Sequence, residues 1–231
     1  MLKTTLLLLT LSKALLALTF TSQYLNDYKI QANCDKLLHK SAMDICYSYK
    51  NKTPSIVVYT INKTNLLKPK LKRKHLTFKP DYQIPIKYRS YSKNYSKTGF
   101  DRGHNAPNAA FNFNKKLQKE TFKTSNISPQ KPKLNRIVWR KIERFARHQA
   151  IKYSKISVIT GSCLSAGKIK NNITVPKYFF KILFLPNSKT ISFLATNTNY
   201  KMKKAKIKQF LSSIQEIEQT CKNQIQLKEN K

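Results

Sequence analysis

The chain has 231 residues, enough to bury an apolar core as one large domain or two small ones. Lys and Arg number 45 against 10 Asp and Glu, a formal net charge of +35. So few acids leave little room for a carboxylate-rich two-metal site. The excess of cations implies a polyanionic partner, nucleic acid ahead of an acidic membrane or polysaccharide. Frequent Lys, Asn and Ile leave compositional bias as an alternative source of the charge.

Met1-Leu2-Lys3 is a short basic start, and Leu6 to Phe20 is mostly apolar, broken by Lys13. Small residues follow in Thr19-Phe20-Thr21-Ser22. This pattern predicts an export leader over residues 1–22 and a single domain over 23–231. The apolar run is short and interrupted for a membrane span, and an uncleaved anchor is the alternative. Either way the body is expected outside the cytoplasm, periplasmic or secreted. Cys34, Cys46, Cys163 and Cys221 are an even set without a Cys-x-x-Cys pair, which argues against a zinc ribbon or a thioredoxin-like motif. In an oxidising compartment they read as two disulfides. Three connectivities are open. The favoured one joins Cys34 to Cys46 locally and uses Cys163–Cys221 to staple a C-terminal helix to a core strand.

Residues 23–54 are polar and mixed. Ser55 to Ile61 is β-branched and aromatic and predicts a strand. Lys68 to Lys79 is a basic loop or edge, and Tyr82 to Tyr95 is loop-like, rich in tyrosine and cations. Those tyrosines could stack on bases or serve as half-buried strand residues. Leu134, Val138, Ile142 and Phe145 predict a helix over Leu134 to Ile151, with Pro129 and Pro132 just ahead of it. Ile156 to Thr160, Thr174 to Leu185 and Thr190 to Ala195 read as strands, the last two joined by a turn at Pro186-Asn187-Ser188. Ala205 to Thr220 reads as a second amphipathic helix, and residues 222–231 are expected to fray. Strands on both sides of one long helix, without βαβ alternation, favour an α+β class.

Gly99-Phe100-Asp101-Arg102-Gly103-His104 concentrates scarce residues, since the chain has only four glycines and four histidines. His104 can take a proton from water near neutrality. Phosphodiester hydrolysis also needs its developing charge stabilised and its leaving oxygen neutralised, which a divalent metal does. With few acids available, one or two side-chain oxygens, waters and a substrate phosphate would hold that metal, which suits Mg²⁺. Asn135, Trp139 and Glu143 lie at i, i+4 and i+8, within about an 80° arc of one helical face. An amide oxygen and a carboxylate can therefore point into one cleft. A capping asparagine, a core tryptophan and a salt-bridging glutamate are the alternative. Arg102 can fork onto phosphate oxygens or pair with Asp101. Asn126 can orient side chains or mark a turn.

Several segments together carry a resemblance. Gly99 to Pro107 resembles the Asp-Arg-Gly-His signature of the DNA/RNA non-specific endonucleases, the ββα-metal (His-Me finger) nucleases to which mitochondrial endonuclease G is related. Thr124 to Gln130 is similar to their Asn-Ile-x-Pro-Gln segment. Leu134-Asn135, Trp139 and Glu143 match the pattern of their metal helix, and Val158 to Gly161 and Val175 to Lys181 look like the strands that follow. Arg73 to Asp81 resembles an upstream element in loose register. The resemblance covers residues 34–220.

It implies an antiparallel sheet flanked by helices, with a ββα element carrying the site. His104 would be the general base, and Asn135 the one direct protein ligand of Mg²⁺, with Mn²⁺ as a substitute. Glu143 would hold waters of the metal's shell, Arg102 would clamp phosphate, and Asn126 would support the site. Asp101 matches the motif with a less defined part. Arg73, with Arg89 as its fallback, and Arg136 would contact substrate. DNA and RNA would be cut to leave 5′-phosphates. A catalytically inactive nucleic-acid-binding protein on the same scaffold is the rival reading. No specific protein partner is inferable, and a homodimer is left open. Asn105 and Cys221 depart from the family's usual residues, away from the proposed chemistry.

Overall fold

The computed structural model describes residues 18–186, 188–222 and 224–229. Residues 1–17 of the expected leader and Asn187 of the expected hairpin turn lie outside the described residues. The chain opens with strands β1 (Leu18–Ser22) and β2 (Leu25–Ala32), then β3 (Lys36–His39), β4 (Asp44–Ser48) and β5 (Thr53–Asn62). A one-turn helix α1 (Lys63–Leu66) leads into a long irregular segment, then β6 (Asp101–His104), α2 (Asn108–Phe111), α3 (Lys115–Thr121) and β7 (Ile127–Gln130). The main helix α4 (Arg140–Tyr153) follows a wide π-helical turn over Leu134–Trp139. The chain closes with β8 (Lys155–Ile169), β9 (Ile173–Phe184), β10 (Thr190–Thr196), β11 (Leu211–Ser212), α5 (Ile214–Thr220) and β12 (Ile225–Glu229).

Seven strands form one sheet in the order β11-β10-β9-β8-β5-β4-β3, antiparallel at every pairing. A smaller sheet, β1-β2-β12, and the two-stranded hairpin β6-β7 are separate. Period-two alternation divides the large sheet into two faces. On β5, Val57, Tyr59 and Ile61 join the core under α4, while Ile56 and Val58 join the core on the other face. On β9, Phe179 and Leu183 face the helix side and Phe180, Ile182 and Phe184 the back. The back core includes residues of the small sheet and all four cysteines. Cys34 is bonded to Cys46, and Cys163 to Cys221 just past α5, each with Cα atoms 5.5 Å apart. The favoured pairing is the one present, and the α+β class with its antiparallel sheet holds.

Leu18–Ser22, within the span read as leader, pairs with β2, and the Ser22 hydroxyl donates to buried Asp44 at 2.6 Å. Three expectations are corrected. Residues 23–54, read only as polar and mixed, supply β2, β3 and β4. The expected helix from Ala205 starts instead at Ile214, where a capping box fixes it. There the Ser213 hydroxyl accepts from the Glu216 amide at 3.0 Å, and the Glu216 carboxylate accepts from the Ser213 amide at 2.7 Å. Ile225–Glu229, expected to fray, pairs with β2. Among the described residues no helix is long and apolar enough to cross a membrane.

Candidate active site

The hairpin β6-β7 pairs Asp101 with Gln130 and His104 with Ile127. Gly103 is required there by close approach. A Cβ on it would lie 2.6 Å from the Gln130 Oε1 atom and 3.1 Å from the Ser128 carbonyl. His104 ends the strand against two rings, Phe78 at 5.2 Å and Phe122 at 5.0 Å between centroids. Its Nε2 is enclosed and has no hydrogen-bond partner among the described residues. Burial first, then the nearby Arg73 guanidinium, push its pKa down from 6.5 to about 3. The imidazole is therefore neutral at pH 7 and able to accept a proton.

The turn after His104 is pinned from below. Asn126 Nδ2 donates to the Ala106 and Thr121 carbonyls, both at 2.9 Å, and Asn126 Oδ1 accepts from the Ala106 amide at 2.9 Å. Asn126 is fully buried and its amide is spent on backbone. Of the two readings of Asn126, the structure gives it an orienting one: it shapes the turn and does not line the cleft.

The helix that carries the other candidates is capped by side chains from the loop after β10. Asn197 and Asn199 accept from the Lys131 and Lys133 amides at 2.7 and 2.8 Å, meeting donors that a helix start leaves unpaired. Through the wide turn that follows, Trp139 packs into the core with 1% exposure, while Asn135 and Glu143 both line one cleft. Widened turns of this kind recur at functional sites. Asp101 accepts from Asn135 Nδ2 at 2.9 Å and from Arg136 Nη2 at 2.6 Å. A carboxylate only accepts, so the amide NH₂ must face it, and Oδ1 has no intramolecular partner among the described residues. Burial pushes Asp101 up, but the bonds from Arg136 and Asn135 outweigh it and hold the carboxyl below its usual range. Burial also raises Glu143, against the opposing pull of Lys181 and Arg147.

The cleft holds about 370 Å³. Five arginines line it (Arg73, Arg102, Arg136, Arg140 and Arg147) with His104, Asn135 and Glu143. One carboxylate among five guanidinium groups makes it a site for an anion. Arg102 makes three hydrogen bonds to its own scaffold, Nε donating to the Ser92 carbonyl at 3.2 Å and Nη2 to the same carbonyl at 2.7 Å and to the Ser96 hydroxyl at 2.9 Å. Arg89 is not in the cleft. Its Nε donates to the Ile84 carbonyl at 2.5 Å and its Nη2 to the Tyr82 carbonyl at 3.1 Å. Of the two upstream arginines, Arg73 lines the cleft and Arg89 does not. Arg140 and Arg147 were not singled out from sequence. Their signal was the charged stripe 136, 140, 143, 147 at helical spacing, which in so basic a chain resembles an ordinary solvated face.

Among the described residues no three His, Cys, Asp or Glu side chains cluster to hold a metal. The side-chain oxygens among the cleft's lining residues are the amides of Asn135 and Asn108 and the carboxylate of Glu143. That set fits a hard divalent ion that keeps most of its own waters, as Mg²⁺ does.

A hairpin ending in a histidine, followed by a helix that turns an asparagine into the same cationic cleft, is the arrangement that the resemblance to the ββα-metal nucleases implies. Comparison with known proteins narrows the class. The profile of the DNA/RNA non-specific endonucleases matches residues 22–231. A mitochondrial nuclease of Saccharomyces cerevisiae is 32% identical over 154 residues, covering 60% of this chain and 47% of that protein. Human mitochondrial endonuclease G is 32% identical over 126 residues, covering 49% of this chain and 42% of that protein. Nuclease C1 of Cunninghamella echinulata is 35% identical over 127 residues, covering 49% and 50%. The chain thus spans about half the length of the curated relatives it matches. A chain in the crystal structure of an EndoG/EndoGI complex superposes with a TM-score of 0.73 and 25% identity, over 83% of this chain and 87% of that one. The chain belongs to the DNA/RNA non-specific endonuclease family.

Proposed function

We propose that the protein is an exported, Mg²⁺-dependent endonuclease that hydrolyses phosphodiester bonds of DNA and RNA without sequence preference and leaves 5′-phosphates. The observation that carries this reading is the meeting of His104, Asn135 and Glu143 in one arginine-lined cleft. Arg73 and Arg102 flank His104 and bind the scissile phosphate, with Arg136 beside Asn135. Burial depresses His104 most and the Arg73 charge adds to it; an anionic phosphate between the arginines offsets that second part and makes the imidazole a stronger base. His104 then takes the proton of the attacking water. Asn135 through Oδ1 would hold the metal, with Glu143 orienting waters beside it, and Asp101 fixes the amide in that orientation. A bound Mg²⁺ would supply stabilisation of charge on the phosphate and leaving oxygens. Affinity comes from phosphate contacts, which carry no sequence information, so cutting is sequence-tolerant. Two disulfides support an oxidising, extracytoplasmic location.

The test is incubation of the purified chain with plasmid DNA and with RNA, in Mg²⁺ and in EDTA, with end-group analysis of the products. Degradation of both polymers in Mg²⁺ alone, with 5′-phosphate ends, is expected. Full activity in EDTA would remove the metal from the scheme. Retention of nucleic acid without cleavage would favour the inactive binder.

A further inference from the structure

Most of the basic residues of this chain have at least part of the side chain in solvent, and Lys181 does not. Alternation along β9 turns it, with Phe179 and Leu183, toward the helix side of the sheet, where it is 0% exposed. Its ammonium meets three segments at one point. It donates to the Tyr59 hydroxyl of β5 at 2.9 Å and to the Thr160 hydroxyl of β8. It reaches the Asn105 carbonyl, immediately after His104, at 3.5 Å. It also lies 5.2 Å from the centroid of the Trp139 ring, on the helix segment between Asn135 and Glu143.

These partners are hydroxyls, a carbonyl and rings, so they repay little of the cost of taking an ammonium out of water. Glu143 is the carboxylate whose charge acts on the ammonium, with no direct hydrogen bond between the two. Arg147 faces Glu143 from its own helix. Burial lowers Lys181 to about 7, with Glu143 pulling the other way. An apolar side chain of similar length would fill the space at lower cost, so a cation here is not explained by packing.

We infer that Lys181 is a positioning residue of the nuclease site, a buried strut that ties the turn after His104 and the Trp139 face of the helix to the sheet and supplies the counter-charge behind Glu143. It touches no substrate and acts through His104 and Glu143. The inference rests on the nuclease reading for its catalytic half, and its structural half stands apart from it.

Lys181→Met removes the charge and keeps the length, and Lys181→Arg keeps the charge. On a short duplex in Mg²⁺, Lys181→Met is expected to lower kcat by about 10–100-fold, the scale for partners that orient site groups, with KM nearly unchanged. Lys181→Arg should recover part of that loss. In a Glu143→Gln background, Lys181→Met should cost much less, because the counter-charge has lost its carboxylate. The melting temperature of that double variant should be equal to or above that of Glu143→Gln alone, while amide exchange at Asn105 and Ala106 quickens in Lys181→Met. Wild-type kcat in Lys181→Met would overturn the inference, as would a full multiplicative loss in the Glu143→Gln background. A double variant that melts far below Glu143→Gln alone would mark the residue as a packing element only and overturn the inference. If the parent itself cleaves nothing, the nuclease reading falls alone. Amide exchange at Asn105 and Ala106 then still decides whether the strut exists, and unchanged exchange there would overturn it.

Discussion

The two faces of the seven-stranded sheet are built to different standards. The back face packs an apolar core, the small sheet and both disulfides. The helix face carries half-buried His104 and Glu143, buried Lys181 and the cationic cleft. It also carries the buried polar atoms without partners, among them His104 Nε2, Asn105 Oδ1, Gln130 Oε1 and Trp139 Nε1. None of the unpartnered atoms among the described residues belongs to the back core. Unsatisfied groups are costly, so their collection around one hairpin and one helix shows where stability has been given up for chemistry. The back face makes that tolerable.

The contrast can be broken most strongly from the back. Replacing Cys163 and Cys221 together by alanine opens a link of sequence separation 58 and is expected to cost about 4 kcal/mol of stability on the loop-entropy scale. Denaturant unfolding should show that loss, while kcat at a temperature where the variant is folded stays near the parent's. A matching fall in kcat would deny the division of labour between the faces.

On the helix face the order is reversed. Asp101→Ala frees the Asn135 amide and is expected to reduce cleavage by about 10–100-fold and to raise the Mg²⁺ concentration needed for half-maximal rate. A titration of rate against Mg²⁺ measures both, and an unchanged midpoint would show that Asp101 does not orient the amide.

Acid sharpens the comparison further. His104 has a folded pKa near 3 against 6.5 when free, so the unfolded chain takes up the proton first as pH falls. Stability is full above pH 6.5 and declines from there down to about pH 3, by about 1.4 kcal/mol per pH unit. Between pH 6.5 and pH 5 the parent should therefore lose about 2 kcal/mol that a His104→Leu variant keeps. Parallel unfolding curves for the two proteins across that range would contradict the burial of a neutral imidazole. The smallest effect belongs to Arg89→Ala. That side chain is spent on the Tyr82 and Ile84 carbonyls outside the cleft, so cleavage should stay within about twofold of the parent.

What the sequence made legible follows the same divide. His104 and Asn135 could be read because their neighbours are local: Gly103 for close strand approach, and one helix that carries both Asn135 and Glu143. Arg140 and Arg147 could not, because a basic helical stripe in a chain of charge +35 looks like solvent-facing surface. Lys181 sits in alternation with Phe179 and Leu183, and that spacing acquires meaning only once the sheet's site-bearing face is known. Asp101 looked like an ion-pair partner for its neighbour Arg102. Its real partners, Asn135 and Arg136, are 34 and 35 residues away and met through the fold. Strands β2 to β4 escaped because their polar residues hide the period that the small sheet and the disulfides complete.

The central claim is that His104 performs the chemistry while the arginines hold the polymer. It is tested most directly by running cleavage and gel retardation side by side on plasmid DNA in Mg²⁺, with the parent and His104→Ala. The account predicts that cleavage falls by about 10²–10⁴-fold while retardation is preserved at the same protein concentration. Cleavage by His104→Ala at the parent's rate would contradict it.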